Sequence, residues 1–512
     1  MSNLIKYRPE IDGLRTIAVL SVILYHANFQ IFGQNPIKGG FLGVDIFFVI
    51  SGYLITSILL TGFREKSLTL LNFYERRIRR ILPILLFVMT VSMPFSWMLL
   101  LPSDFQSYSY QLLSSIFSVS NFYFWSEDSY WAAESILKPF LHTWSLGVEE
   151  QFYLFMPLLV MCFSYKNISR PTFVLLAIAL VSLVSSHFMS ISDSQSSFYL
   201  FPFRSWELLI GASIATYREQ QFSDEVFVEK VPYLPSIGLL IIFLSFYFFS
   251  ESTLHPSFYT LLPTLGVALV ILFSNEKDFS IKLLRNKVMN FIGLISYGLY
   301  LWHFPIFSYL SHANLFEDSL IKIGAIVLIF VLSIVTYFII EKPFRSFSSI
   351  KSKIFWCILV IWVLLLSMTA VIGMKDGFSF RVPELVNIPS DPENIENHKW
   401  FATEKNLRGR VVLVGDSHIG SIAPFFKTWA KDEGFDFAIS EWSGCQLILN
   451  MNRVSKNDFH PLQNCNIKSQ KMRLNFIENL KPSIVMMGGR LPLIIEETQR
   501  LKNPKKTVLS IK

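Results

Sequence analysis

The chain has 512 residues, of which 52% are hydrophobic and only 16% charged, with a formal net charge of +7 and a mean hydropathy of +0.44. A soluble globular domain averages roughly a quarter charged residues, so most of this chain belongs in apolar surroundings. Its 49 Phe and thinly spread Gly and Pro exclude disorder, collagen and coiled coil, its four Cys exclude a disulfide-rich scaffold, and its basic excess marks membrane topology rather than nucleic-acid binding.

Apolar runs long enough to cross a hydrocarbon core of about 30 Å lie at 13–33, 40–60, 81–101, 143–163, 172–190, 199–217, 233–250, 257–274, 288–310, 319–340 and 352–373, eleven in all. A twelfth stretch, 108–125, is Ser-rich and less apolar. If it does not cross, Lys6, Arg8, the cluster Arg64 to Arg80, Lys166, Arg170, Arg218, Lys230, Lys277 to Lys287 and Lys342 to Lys353 share one side. The opposite short loops then keep little beyond Lys38 and Lys138. That split follows the positive-inside rule with a cytoplasmic N-terminus, an outer C-terminal segment, and 108–125 as an outward-facing or re-entrant element. No cleavable signal peptide is expected, because the first run carries Arg15 and His26 and lacks a small-residue cleavage site.

Beyond residue 374 the texture becomes polar. Pro383, Pro389 and Pro392 mark a linker over 374–408, and the runs Val411 to Val414 and Ile484 to Met487 read as buried parallel strands between helical stretches at 419–433 and 468–480. The fold class is therefore a polytopic α-helical membrane protein followed by a partial α/β domain over 409–512. Cys445 and Cys465 fall in this outer domain, where a disulfide can persist.

Ionisable residues inside spans are costly and point to function unless they reach an interface. Arg15 and His26 are eleven residues apart, almost three helical turns, so they share a face about 16 Å apart along the axis. Such a layout suits an anionic ligand with its reactive centre deeper in the membrane. In Arg76-Arg77-Ile78-Arg79-Arg80 the i,i+3 pairs Arg76/Arg79 and Arg77/Arg80 occupy two neighbouring helix faces; guanidinium forks suit phosphate, although topology and anionic lipid contact are the usual explanation of such a run. Glu149 and Glu150, close to His142, need a polar cavity or a partner such as Arg204 or His26. Arg204 and Glu207 are spaced for a structural ion pair, and Asp45 and His303, taken singly, read as satisfied interhelical hydrogen-bonding residues.

The strings YRPEIDGLRTIAVLSVILYH, GGFLGVDIFFVISGYLIT, FYERRIRRILP, LHTWSLGVEEQFYLFMP, FRSWELLIGA, SYGLYLWHFPI and EKPFR, in that order over residues 7–346, resemble the acyltransferase-3 family of membrane O-acyltransferases. The resemblance implies ten family helices plus a linking span at 352–373, a cytoplasmic acyl-CoA donor, usually acetyl-CoA, and a sugar hydroxyl as acceptor on the outer side. Arg15 and His26 match the family's arginine–histidine motif, and Arg76 and Arg79 its arginine-x-x-arginine motif. Arginines at the cytoplasmic mouth would then hold the CoA phosphates, with His26 as general base and Glu149 or Glu150 orienting the imidazole.

LVGDSH (413–418) reads as a strand entering a tight turn and a helix whose N-terminus can stabilise an oxyanion. It resembles the first block of the SGNH hydrolases fused behind acyltransferase-3 domains, with Ser417 in the nucleophile position, Asp416 beside it and Gly444 in the place of the second oxyanion glycine. IVMMGGR (484–490) replaces the hydrolase asparagine. The late Asp-x-x-His block finds no match between Arg490 and Lys512, and His460 lies too early. A serine without a base is a weak nucleophile, so this domain is expected to be incomplete, as in a truncated coding sequence.

The resulting expectation is a bacterial inner-membrane O-acyltransferase that acetylates a surface glycan, lipopolysaccharide O-antigen first and peptidoglycan second. Membrane lipids would be partners, and neither metal nor nucleic acid is required. A transporter or flippase using the same charges, and a non-enzymatic scaffold, are the competing classes.

Overall fold

The computed structural model describes residues 7–30, 34–66, 68–127, 135–165, 170–220, 231–346, 353–381, 398–401, 409–415, 417–441, 452–453, 467–488 and 501–502. The chain divides into two compact units, Met1–Gly377 and Phe378–Lys512.

The first unit is helical. Its helices are α1 (Pro9–Ala27), α2 (Gly43–Arg64), α3 (Leu70–Leu99), α4 (Pro102–Ile116), α5 (Ser120–Ser126), α6 (Trp144–Tyr165), α7 (Pro171–Ser192), α8 (Ser194–Tyr199), α9 (Phe201–Gln220), α10 (Leu234–Phe248) and α11 (Leu261–Leu272). They are followed by α12 (Phe279–Leu284), α13 (Lys287–Leu294), α14 (Ser296–His312), α15 (Ser319–Thr336), α16 (Lys342–Ser346) and α17 (Lys353–Met374). Local chemistry sets several ends. Pro9 opens α1 with Glu10 and Asp12 in its first turn, favourable to the helix dipole, and Asn28 closes it in the left-handed conformation at φ 48°.

Among the described residues, five helical segments are long and apolar enough to cross a membrane: Gly40–Arg64, Leu70–Leu99, Leu141–Phe163, Pro171–Ser192 and Ser319–Arg345. A sixth arises if α13 and α14, which meet at a 62° bend, form one span. The other stretches read as spans are helical too, but α1 carries Glu10, Asp12 and Arg15, α9 carries Arg204 and Glu207, and α10 and α11 are only 15 and 12 residues long. The stretch 108–125 is broken after Ile116, and α5 starts at Ser120.

The exterior of this unit differs from that of a soluble protein. The Ser319–Arg345 segment is the most apolar of the five and only 22% buried, and large apolar side chains such as Leu180, Val181, Leu320 and Ile339 stand exposed. An apolar exterior of this kind is covered by lipid tails. Inside, α2 and α9 cross through glycine. A Cβ on Gly52 would lie 1.9 Å from the Leu208 carbonyl oxygen, and one on Gly211 2.0 Å from that of Val49, so only glycine allows the backbones this close.

The second unit contains a four-stranded sheet of order β1-β3-β2-β5, built from β1 (His398–Phe401), β2 (Gly409–Gly415), β3 (Phe435–Glu441) and β5 (Ile484–Gly488), and a two-stranded pairing of β4 (Asn452–Arg453) with β6 (Leu501–Lys502). β2 runs parallel to β3 and β5, while β1 is antiparallel to β3. Strand alternation splits the core in two. Leu413 faces helix α18 (Ser417–Asp432) with Ile419, Ala423 and Ala430, whereas Val412 and Val414 face helix α19 (Ile467–Leu480) with Ile477 and Leu480. Arg473 of α19 is fully buried; its Nη2 donates to the carbonyls of Gly415 and Ser440 at 2.8 Å, tying the ends of β2 and β3 together.

Candidate active site

α1 packs on α2 and α14 and carries Arg15 near one end and His26 at the other. Each side chain lines a different cavity. The arginine cavity, about 90 Å³, is bordered by Arg15, by Ser51 of α2, by Arg77 and Arg80 of α3, by Glu149 and Tyr153 of α6 and by Tyr300 of α14. The histidine cavity, about 360 Å³, is bordered by Tyr25, His26, His142, Arg204, Glu251, His255, Tyr300 and Phe304 among others. Val44 and Tyr300 border both. Tyr300 is held in that position, since its hydroxyl donates to the His142 carbonyl at 2.9 Å and lies 2.7 Å from Ser145 Oγ.

The arginine cavity selects one of the two arginine faces of α3. Arg77 and Arg80 border it, whereas Arg76 is exposed and Arg79 is paired with Glu75 one turn earlier. Of the pair assigned to phosphate from the motif, Arg76 is exposed, while Arg79 is largely buried beside Glu75 and does not border this cavity. Arg15 donates to Asp12 Oδ1 at 3.3 Å, and Asp12 also accepts from the Tyr7 hydroxyl at 2.7 Å.

The imidazole of His26 meets another imidazole rather than a carboxylate. His26 Nδ1 lies 3.3 Å from His303 Nε2, and His303 Nδ1 lies 2.6 Å from the Tyr300 carbonyl oxygen. Glu149 instead accepts from Ser51 Oγ at 2.9 Å and from the Tyr153 hydroxyl at 3.0 Å, and Glu150 borders neither cavity. Among the described hydrogen bonds, none joins either glutamate to His26. The expected orienting role of Glu149 or Glu150 is corrected in that respect, because both stand on α6 beside the arginine side of the bundle. His142 completes a three-histidine group: its ring centroid is 5.5 Å from those of His303 and Phe304, and neither of its ring nitrogens has a hydrogen-bond partner among the described residues.

A second ionic cluster closes the wall of the histidine cavity. Arg204, with no exposed surface, lies 3.3 Å from Glu207, 3.6 Å from Asp45 and 3.1 Å from His255 Nε2, and His255 Nε2 lies 3.0 Å from Asp45. Its guanidinium also sits over the rings of Phe48, Trp144 and Phe198 at 5.3, 5.4 and 5.8 Å. The i,i+3 pair of Arg204 and Glu207 is thus part of a larger network that takes in Asp45 and His255. Sequence reasoning passed over His255 and Glu251, which accepts from the Tyr25 hydroxyl at 2.7 Å. Their signal is weak, because Glu251 and His255 stand in the polar connection SESTLHPSFYT (250–260), where ionisable residues are ordinary.

In the second unit, β2 ends at Gly415 and α18 opens at Ser417, the strand and the helix expected on either side of Asp416 in LVGDSH. Asp416, Gly444, Cys445, His460, Cys465 and residues 489–500 lie outside the described residues, so the oxyanion and disulfide assignments lie there too.

Taken as a whole, a polytopic helical unit with buried histidine and arginine constellations, followed by a small α/β unit, defines a membrane acyltransferase architecture with an SGNH domain. The profile described as the acyltransferase domain matches residues 8–372, and that of the SGNH domain fused to acyltransferase-3 domains matches 389–510. The chain belongs to the acyltransferase-3 family. It is 33% identical over 360 residues to the peptidoglycan O-acetyltransferase OatA of Listeria monocytogenes, which covers 67% of this chain and 56% of that protein. It is 28% identical over 466 residues to SAR0937 of Staphylococcus aureus, provisionally named an O-acetyltransferase (83% of this chain, 76% of that protein). To the O-acetyltransferase OatA of Staphylococcus aureus it is 29% identical over 393 residues (73% and 64%). The match thus spans less than two thirds of either OatA protein. No solved structure matches the chain.

Proposed function

We propose that this protein moves an acetyl group from acetyl-CoA on the cytoplasmic side to a hydroxyl of an exported glycan, with eleven spans carrying the two cavities and the N-terminus cytoplasmic. The observation that carries this reading is the pair of cavities meeting at Val44 and Tyr300, one bordered by three arginines, the other by His26. Arg15, Arg77 and Arg80 supply the guanidinium forks suited to CoA phosphates. The acceptor hydroxyl enters from the histidine cavity. His26 removes its proton as the oxygen attacks the thioester carbonyl; a C–O bond forms, the C–S bond breaks, and the proton passes to the departing CoA thiolate. The family match supports group transfer over transport. Similarity to a peptidoglycan O-acetyltransferase moves peptidoglycan ahead of lipopolysaccharide O-antigen as acceptor, and the SGNH unit, with Ser417 at its strand-to-helix turn, is the proposed extracytoplasmic partner of that transfer.

The test is transfer of labelled acetate from acetyl-CoA to glycan fragments by the full chain in proteoliposomes, alongside mass spectrometry of envelope glycans with and without the gene. Loss of transfer in His26→Ala and loss of glycan acetate on deletion are expected. Full activity of His26→Ala, or unaltered glycan acetylation on deletion, refutes the reading.

A further inference from the structure

The geometry points to His303 as the positioning residue that fixes the tautomer of His26 and shares the charge it acquires. The inference rests on the function proposed above and assigns to His303 a role that no motif match supplied.

The argument follows the protons. The Tyr300 carbonyl oxygen can only accept, so the nitrogen 2.6 Å from it, His303 Nδ1, carries the hydrogen. A neutral imidazole has one N–H, which leaves His303 Nε2 as a bare lone pair. That nitrogen lies 3.3 Å from His26 Nδ1, so His26 must donate there and holds its hydrogen on Nδ1. His26 Nε2 is then the unprotonated nitrogen, in the state a general base requires. The chain Tyr300 carbonyl, His303, His26 does for this imidazole what a carboxylate does in other acyl-transfer sites: it selects one tautomer and stabilises the imidazolium formed when Nε2 takes the acceptor's proton. A neutral base is the economical choice here, because a buried carboxylate at this position needs a compensating cation.

Placement supports the division of labour. His303 is fully buried and does not border the histidine cavity, whereas His26 does. The polar and titratable groups around the pair are few. Tyr25 packs edge-on to His26 at 5.0 Å, His142 and Tyr300 lie 5.5 and 5.4 Å from His303 between ring centroids, and Phe304 and Phe307 close the remaining sides. The described partners of the His26 ring are His303 and the backbone of Val22 one turn earlier, and of these two only the His303 imidazole can share a proton.

The experiment compares full-length wild type, His26→Ala, His303→Ala and His303→Gln in proteoliposomes, measuring acetyl transfer from acetyl-CoA, its KM and the pH profile of kcat. His303→Ala is expected to lower kcat on the order of 10²-fold with KM for acetyl-CoA nearly unchanged, and to move the pH profile, since general-base assistance is worth about 10²–10⁴. His303→Gln, whose amide oxygen can still accept from His26 Nδ1, is expected to recover part of kcat and the wild-type profile. Thermal unfolding in detergent checks folding, and His303→Gln decides the matter if the alanine variant does not fold. Unchanged kcat and pH profile in His303→Ala, or a loss that glutamine does not rescue, overturns the inference while leaving His26 in place. Retained activity in His26→Ala overturns the proposed function itself.

Discussion

Arg204 offers the sharpest test of how the membrane unit is held together. Replacing it with leucine keeps an apolar stem but deletes a guanidinium that has no exposed surface and reaches Glu207 at 3.3 Å, Asp45 at 3.6 Å and His255 at 3.1 Å. Two unit charges about 4 Å apart attract by roughly 4 kcal/mol at an effective dielectric of about 20. Asp45 and Glu207 crowd the same guanidinium and do not both count as full charges, so the gross attraction is about 4 kcal/mol, from which the desolvation of the arginine itself must be subtracted. What remains is the cost of leaving a buried carboxylate without its cation, about 3–5 kcal/mol. The three aromatic rings around the guanidinium add to that loss.

The partners do not suffer equally. Asp45 keeps His255 at 3.0 Å, whereas among the described ion pairs Glu207 is joined to Arg204. The double variant Arg204→Leu with Glu207→Leu should therefore regain part of the stability lost by Arg204→Leu, because it removes the orphaned carboxyl as well. The assay is reversible unfolding of the full chain in mixed detergent micelles, followed by tryptophan fluorescence, for wild type, both single variants and the double. Arg204→Leu within about 0.5 kcal/mol of wild type, the range of an ordinary surface change, would refute the assignment of the cluster as a structural keystone. A double variant no more stable than Arg204→Leu would refute the argument about the orphaned carboxylate.

Other outcomes follow from the same geometry. Arg77→Ala or Arg80→Ala should raise KM for acetyl-CoA roughly 10-fold or more, the worth of a hydrogen bond to a charged group, while Arg76→Ala stays near wild type; equal effects at Arg76 and Arg77 in steady-state kinetics would show that the cavity does not select a face. Gly52→Ala or Gly211→Ala should destabilise the α2–α9 crossing by about 1–3 kcal/mol, as overpacking does, because each added carbon meets a backbone oxygen at 2.0 Å or less; unchanged unfolding would contradict that contact. Tyr300→Ala should join the two cavities and raise acetyl-CoA hydrolysis in the absence of acceptor, with Tyr300→Phe much closer to wild type; a hydrolysis rate equal in all three proteins would remove Tyr300 as the partition between them.

Much of this protein was legible in order along the chain. The deficit of charge and the long apolar runs announce a helical membrane unit because lipid demands that backbone polar groups pair within the segment. The short continuous apolar run at 411–414 announces a buried strand leading into a helix at Ser417. The eleven-residue separation of Arg15 and His26 places them along one face of one helix, whereas their border on two different cavities is set by the helices packed around it.

What lay beyond the sequence concerns which face meets which. Arg76/Arg79 and Arg77/Arg80 have identical i,i+3 spacing, so nothing in α3 alone distinguishes them; with α3 packed on α14, it is Arg77 and Arg80 that border the cavity. His303 is 277 residues from His26 and His255 is 210 from Asp45, and no local pattern encodes either pairing. Glu149 and Glu150 looked like partners for His26 because they are the conspicuous carboxylates nearby in composition, yet α6 delivers Glu149 to Ser51 and Tyr153. Sequence by itself determined the medium, the class of fold and the residue types the chemistry needs, since those follow from transfer energies and helical period. The tertiary structure alone decided the partners, since a hydrogen bond acts over about 3 Å and only folding brings distant helices within that reach.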